Sequence, residues 1–196
     1  MKKGFTLIEF LISLIIVSLI VLALVSVDIS SRRFFSGSDY RSRLQNEASP
    51  VIGLMTKDIT RATGDVGNAT NTNIGINITS PGPASGRRLE IRLPDNATTF
   101  TPYNYSDNPW VVYEFIANPS YEIRKGGPAN PRPSNPLTSY EVVARNITNC
   151  TFSYIDNSRV SINVTARRFP PPAPVNNDNP EVILRTEVSH RLSASH

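Results

Sequence analysis

Met1-Lys-Lys-Gly-Phe-Thr-Leu-Ile-Glu9, followed by the uncharged run Phe10–Val27, decides how this chain is built. Two lysines stand ahead of an apolar stretch that is broken by one early carboxylate, Glu9. A positive start is held on the cytoplasmic side of a membrane while the apolar run enters it. The eighteen residues of that run, at about 1.5 Å each, reach roughly 27 Å, close to the hydrocarbon thickness of a bilayer. Phe5–Ile8 add length to spare for tilt. A carboxylate entering lipid is costly unless it has a partner or stays near the interface. With a helix starting at Phe5, Glu9 lies one turn in, where the helix dipole favours negative charge.

A secretory signal ends in a small-residue cleavage site. Ala23-Leu-Val-Ser-Val-Asp28 offers no such pattern, and the apolar run is long for a signal core. A plain single-pass anchor is the other alternative, and it would keep its start at Met1. Arg32 and Arg33 lie just past the membrane on the proposed outer side, against the simple orientation rule.

Gly4-Phe5-Thr6-Leu7-Ile8-Glu9 resembles the cleavage and methylation motif of type IV prepilins and of the pseudopilins of type II secretion. The resemblance implies processing at Gly4–Phe5 by prepilin peptidase and N-methylation of the new terminal Phe5. It also gives Glu9 an assembly role, with its carboxylate neutralising a Phe5 ammonium within the chain or between neighbouring subunits. It implies a single-pass protein of the inner (cytoplasmic) membrane, exported on its leader, with a periplasmic or extracytoplasmic C-terminal domain. The implied partners are the peptidase, the membrane, and other pilins or pseudopilins of the same filament.

The expected segments are a leader (1–4), a transmembrane helix (5–27), its amphipathic continuation (28–63) and a loop-rich β domain (64–196). Leu44, Ala48, Val51, Met55, Ile59 and Ala62 recur every three or four residues, one apolar helical stripe widened by Ile52. Gly37 and Pro50 weaken this helix, and the proline is expected to kink or locally open it. Gly64–Gly86 reads as a connector with a turn cluster at Ser80-Pro-Gly-Pro. Alternation then predicts strands. Leu89, Ile91 and Leu93 point inward, with Arg88, Glu90 and Arg92 on a solvent face. Further strands follow at Trp110–Ile116, Tyr121–Arg124, Tyr140–Ala144, Thr151–Ile155, Val160–Val164 and Val182–Val188. Gly126–Pro136 and Phe169–Pro180 are proline-rich and read as loops. The expected class is α+β, a long N-terminal membrane-spanning helix packed on a C-terminal antiparallel β domain. Arg43-Leu-Gln45 through Asp58-Ile-Thr-Arg61, with Leu184-Arg-Thr-Glu-Val188 at the end, is similar to the J-type minor pseudopilins and related minor pilins.

Composition narrows the function. The one cysteine, Cys150, precludes an intrachain disulfide and sits in a strand-like run as a small buried apolar residue. Both histidines, His190 and His196, fall in the last seven residues, and no nucleophile elbow, Cys/His pair, H-E-x-x-H or P-loop occurs. The expectation is therefore a structural subunit with no enzymatic activity, no cofactor, no metal and no small-molecule substrate. Asn176-Asn-Asp-Asn179 with Glu181 offers oxygen ligands for calcium but lacks the spacing of an EF-hand loop, and turn chemistry explains it more simply. The net charge of +4 includes Lys2 and Lys3 of the leader, so the mature chain is only weakly basic. Its doublets Arg87-Arg88, Arg124-Lys125 and Arg167-Arg168 are spread along the sequence, and no nucleic-acid partner is expected. The alternative is a minor pilin whose tip grips DNA or a surface through aromatics such as Trp110, Tyr103 and Tyr105.

Overall fold

The computed structural model describes residues 6–63, 65–66, 74–79, 87–94, 108–156 and 159–190. Helix α1 runs unbroken from Leu7 to Thr60, 54 residues and so about 81 Å. It ends three residues before the expected Thr63, where the Arg61 N–H turns back onto the Asp58 and Ile59 carbonyls. Pro50 does not interrupt it. The ring removes one backbone hydrogen bond, but it lies on the exposed side while Ala48 and Val51 are buried beside it. Packing on the domain holds the helix through the defect.

Two sheets receive the helix. The first contains β1 (Asp65–Val66), β2 (Ile74–Thr79), β3 (Arg88–Arg92), β4 (Trp110–Ile116), β5 (Glu122–Ala129) and β6 (Glu141–Ala144), in that order. All pairs are antiparallel except β1 with β2. The second is an antiparallel meander of β7 (Ile147–Asp156), β8 (Arg159–Arg167) and β9 (Glu181–Ser189). The predicted stripe Leu44, Ala48, Val51, Met55, Ile59 and Ala62 is buried throughout, in one core with Leu89, Val111 and Ile123 of the first sheet and Cys150, Ile162 and Val188 of the second. The α+β, pilin-like architecture expected from the sequence is present.

A polar latch fixes the helix on the first sheet. The buried Tyr113 hydroxyl donates to Asp58 Oδ2 at 2.7 Å, and Lys125 Nζ stands 3.7 Å from the same oxygen. Burial pushes the Tyr113 phenol well up, and the Asp58 carboxylate acts in the same direction. The phenol therefore keeps its proton and can donate.

Three further expectations need correction. The 64–86 connector contains β1 and β2; β2 pairs with β3 from Ile76↔Ile91 to Thr79↔Arg88. Ser80-Pro-Gly-Pro lies outside the described residues. Gly126–Ala129 belongs to β5 rather than to the loop, and a Cβ on Gly126 would come within 2.6 Å of Leu137. Finally, β3 is buried on both faces: Arg88 and Glu90 are as enclosed as Leu89 and Ile91. The rest of the proline-rich loop returns over them. Arg88 bonds Glu90 Oε1 at 2.7 Å through Nε, and its two terminal nitrogens donate to the Ser134 and Pro133 carbonyls at 2.8 Å each. Arg132 and Asn77 both reach Glu90 Oε2 at 2.8 Å, while Glu114 accepts from the Leu137 N–H at 3.3 Å and lies 3.7 Å from Arg88. A loop without strand pairing is thus tied down by a buried ionic cluster.

Arg88→Ala leaves Glu90 and Glu114 buried without that cation and is expected to cost about 3–5 kcal/mol. Denaturant unfolding of the full chain in micelles, read by the single tryptophan (Trp110), checks this; a loss below about 1 kcal/mol, the size of an exposed pair, would show the cluster to be dispensable. The raised Tyr113 phenol carries a signed consequence. Its contribution is complete below the unfolded phenol value of about 10 and declines at higher pH, because the unfolded chain then releases a proton the native state retains. Tyr113→Phe should flatten that alkaline decline.

Candidate functional site

The candidate site is the N-terminal part of α1. Thr6 is its N-cap and forms a capping box with Glu9. The Thr6 N–H and hydroxyl donate to Glu9 Oε2 at 2.9 and 2.8 Å, and the Glu9 N–H donates to Thr6 Oγ1 at 3.4 Å. Glu9 therefore closes the exposed backbone end of the helix while keeping its carboxylate at the segment's start. In the sequence Thr6 stands out only as part of the motif, although its Thr-x-x-Glu spacing is a signal from which the cap can be read. Gly4 and Phe5, and with them the cleavage and methylation positions, lie outside the described residues.

Beyond Glu9 the helix is dressed for a solvent that forms no hydrogen bonds. The large apolar side chains from Leu7 to Ile29 are all exposed. Ser13, Ser18 and Ser26 donate back to the carbonyls of Glu9, Ile15 and Leu22 at 2.8, 2.7 and 2.9 Å. Each hydroxyl is satisfied inside the helix, so it does not oppose entry into lipid. Among the described residues this is the one helix long and apolar enough to cross a membrane. Just past it, Arg32 pairs with Asp28 at 2.8 Å, an internal partner for one of the two arginines that oppose the orientation rule.

The domain first grips the helix at Gly37, the earliest buried residue of α1. A Cβ there would stand 3.1 Å from the Asn177 carbonyl, so the glycine admits the 168–180 loop against the helix backbone. Arg168 adds a stacking contact, its guanidinium carbon 4.0 Å from the Tyr40 ring centre. Gly37, a weak point of the helix by propensity, is thus a contact between helix and domain.

Several of the remaining candidates have structural partners. Asn176 Oδ1 accepts from the Asp178 and Asn179 N–H groups at 3.0 and 2.8 Å. Asn179 bonds Phe169 through both its amide atoms, and Glu181 pairs with Arg167. These oxygens build the loop and its base. Arg124 pairs with Glu122 at 2.7 Å, and Trp110 is buried with the guanidinium carbons of Arg92 and Arg132 at 4.5 and 5.3 Å from its ring centre. The cationic doublets thus fall on separate contacts. Cys150 is enclosed on β7 opposite Val164, and burial pushes its thiol up, which makes it unreactive. His190 is buried just past the end of β9. Tyr103 and Tyr105 lie outside the described residues.

Residues 1–25 match the family described as prokaryotic N-terminal methylation motif. No curated protein and no solved structure matches the chain. A methylation-motif terminus that opens a long apolar helix, packed by its far end on antiparallel sheets, supports a type IV prepilin-like protein.

The two helix glycines should respond in opposite ways. Gly37→Val pushes on the Asn177 backbone and should loosen the 168–180 loop, read as faster proteolysis there. At Gly53 an added Cβ would meet nothing within 4 Å, so Gly53→Ala should stabilise by about 0.5–1 kcal/mol. Equal proteolysis of the two variants would remove the clamp reading.

Proposed function

We propose that the chain is a structural minor subunit of a type II secretion pseudopilus or a type IV pilus, assembled through its N-terminal helix. The observation that carries this is the stretch Leu7–Ser36, apolar along most of its length and buried nowhere by its own domain, behind a methylation-motif terminus. In this reading residues 1–4 are a leader, 5–27 span the inner membrane, 28–63 carry the helix onto the domain, and 64–196 form the extracytoplasmic β domain. Prepilin peptidase cuts after Gly4, and Phe5 becomes a methylated ammonium. Neighbouring pilins or pseudopilins then cover the apolar surface that the domain leaves bare.

Glu9 supplies the register. Within lipid there is no hydrophobic driving force between helices, because a lipid tail is as apolar as Leu or Ile. A charge pair in that medium does discriminate between alignments: an unpaired Glu9 or Phe5 ammonium is penalised, and only one sliding position pairs them. The capping box supports the role by holding the carboxylate at the helix start instead of letting it swing along the axis.

Glu9→Ala should leave cleavage intact and reduce incorporation into the filament by about tenfold or more, the scale set by one hydrogen bond to a charged group at about 1.5–3 kcal/mol. Mass spectrometry of the N-terminus and quantification of the chain in sheared filaments read the two steps separately. Normal incorporation of the variant would refute the register role. A wild-type chain still beginning at Met1, where other prepilins of the same cell are processed, would refute the whole reading.

A further inference from the structure

We draw no further inference here: the strongest candidate, the groove that Glu47 and Pro50 of α1 form with residues 142–146 along the outer edge of β6, carries none, because nothing in the structure shows what covers it.

Discussion

A helix of 54 residues that meets its own domain only from Gly37 onward leaves Leu7–Ser36 exposed, with none of the described residues covering it. That imbalance organises the molecule. The last third of α1 supplies the central stripe of the core, so the domain cannot shed the helix without losing Leu44, Ala48, Val51, Met55 and Ile59 together. The first half cannot fold back, because an unbroken helix has no hinge. Its apolar surface must therefore find lipid or other chains, and water is the one environment it cannot occupy at equilibrium. The same rigid rod transmits any pull on the membrane part to the core of the domain.

The domain end shows how a modest core is supplemented. Two sheets share the single stripe of α1, and the outer face of the first sheet would be left wet but for the returning proline-rich loop. Proline removes the N–H groups from which a strand would be built, so that loop cannot pair as a strand. Its carbonyls remain, and the Arg88 guanidinium collects two of them. Burying an arginine with two glutamates is costly in desolvation; the hydrogen bonds of Arg88 and Glu90 offset that cost, while Glu114 Oε1 has only the arginine charge 3.7 Å away and no hydrogen bond among the described residues. Such a cluster adds less net stability than apolar packing would, but it accepts one loop position and penalises the others. Asp58, Tyr113 and Lys125 play the same part between helix and sheet.

What the sequence revealed, and what it hid, follows from the range of each physical signal. The stripe on α1 was readable because a period of 3.6 marks one face irrespective of what covers it. Trp110–Ile116 was readable because a run of β-branched and aromatic residues suits a strand buried on both faces. The burial of Arg88 and Glu90 was not: alternation assigns charged residues to a second face but cannot say that a loop more than forty residues later will close over it. β2 was hidden for a compositional reason, since Ile74-Gly-Ile-Asn-Ile-Thr79 sits within Asn, Thr and Gly that read as turn, and its identity as a strand comes from pairing with β3. At the candidate site the segment itself was readable from length and apolarity. Gly37 as a contact was not, because a close backbone approach has its cause in a distant partner, Asn177.

The contrast between the two ends of the chain has a physical origin too. Within lipid, backbone groups must be satisfied internally and hydroxyls must bond back, which leaves few sequences able to begin such a helix with a carboxylate near its start. Leu7–Val27 obeys these limits with a capped N-terminus, back-bonded serines and neither glycine nor proline. In water the β domain meets looser limits: alternation, a stripe to pack on, and partners for whatever charge becomes buried. Many unlike sequences satisfy those. A recognisable motif confined to residues 1–25, ahead of sheets and loops with their own solutions, is what these unequal constraints produce. They also divide the chain, with a narrow choice of sequence where the solvent is strict and a wide one where it is permissive.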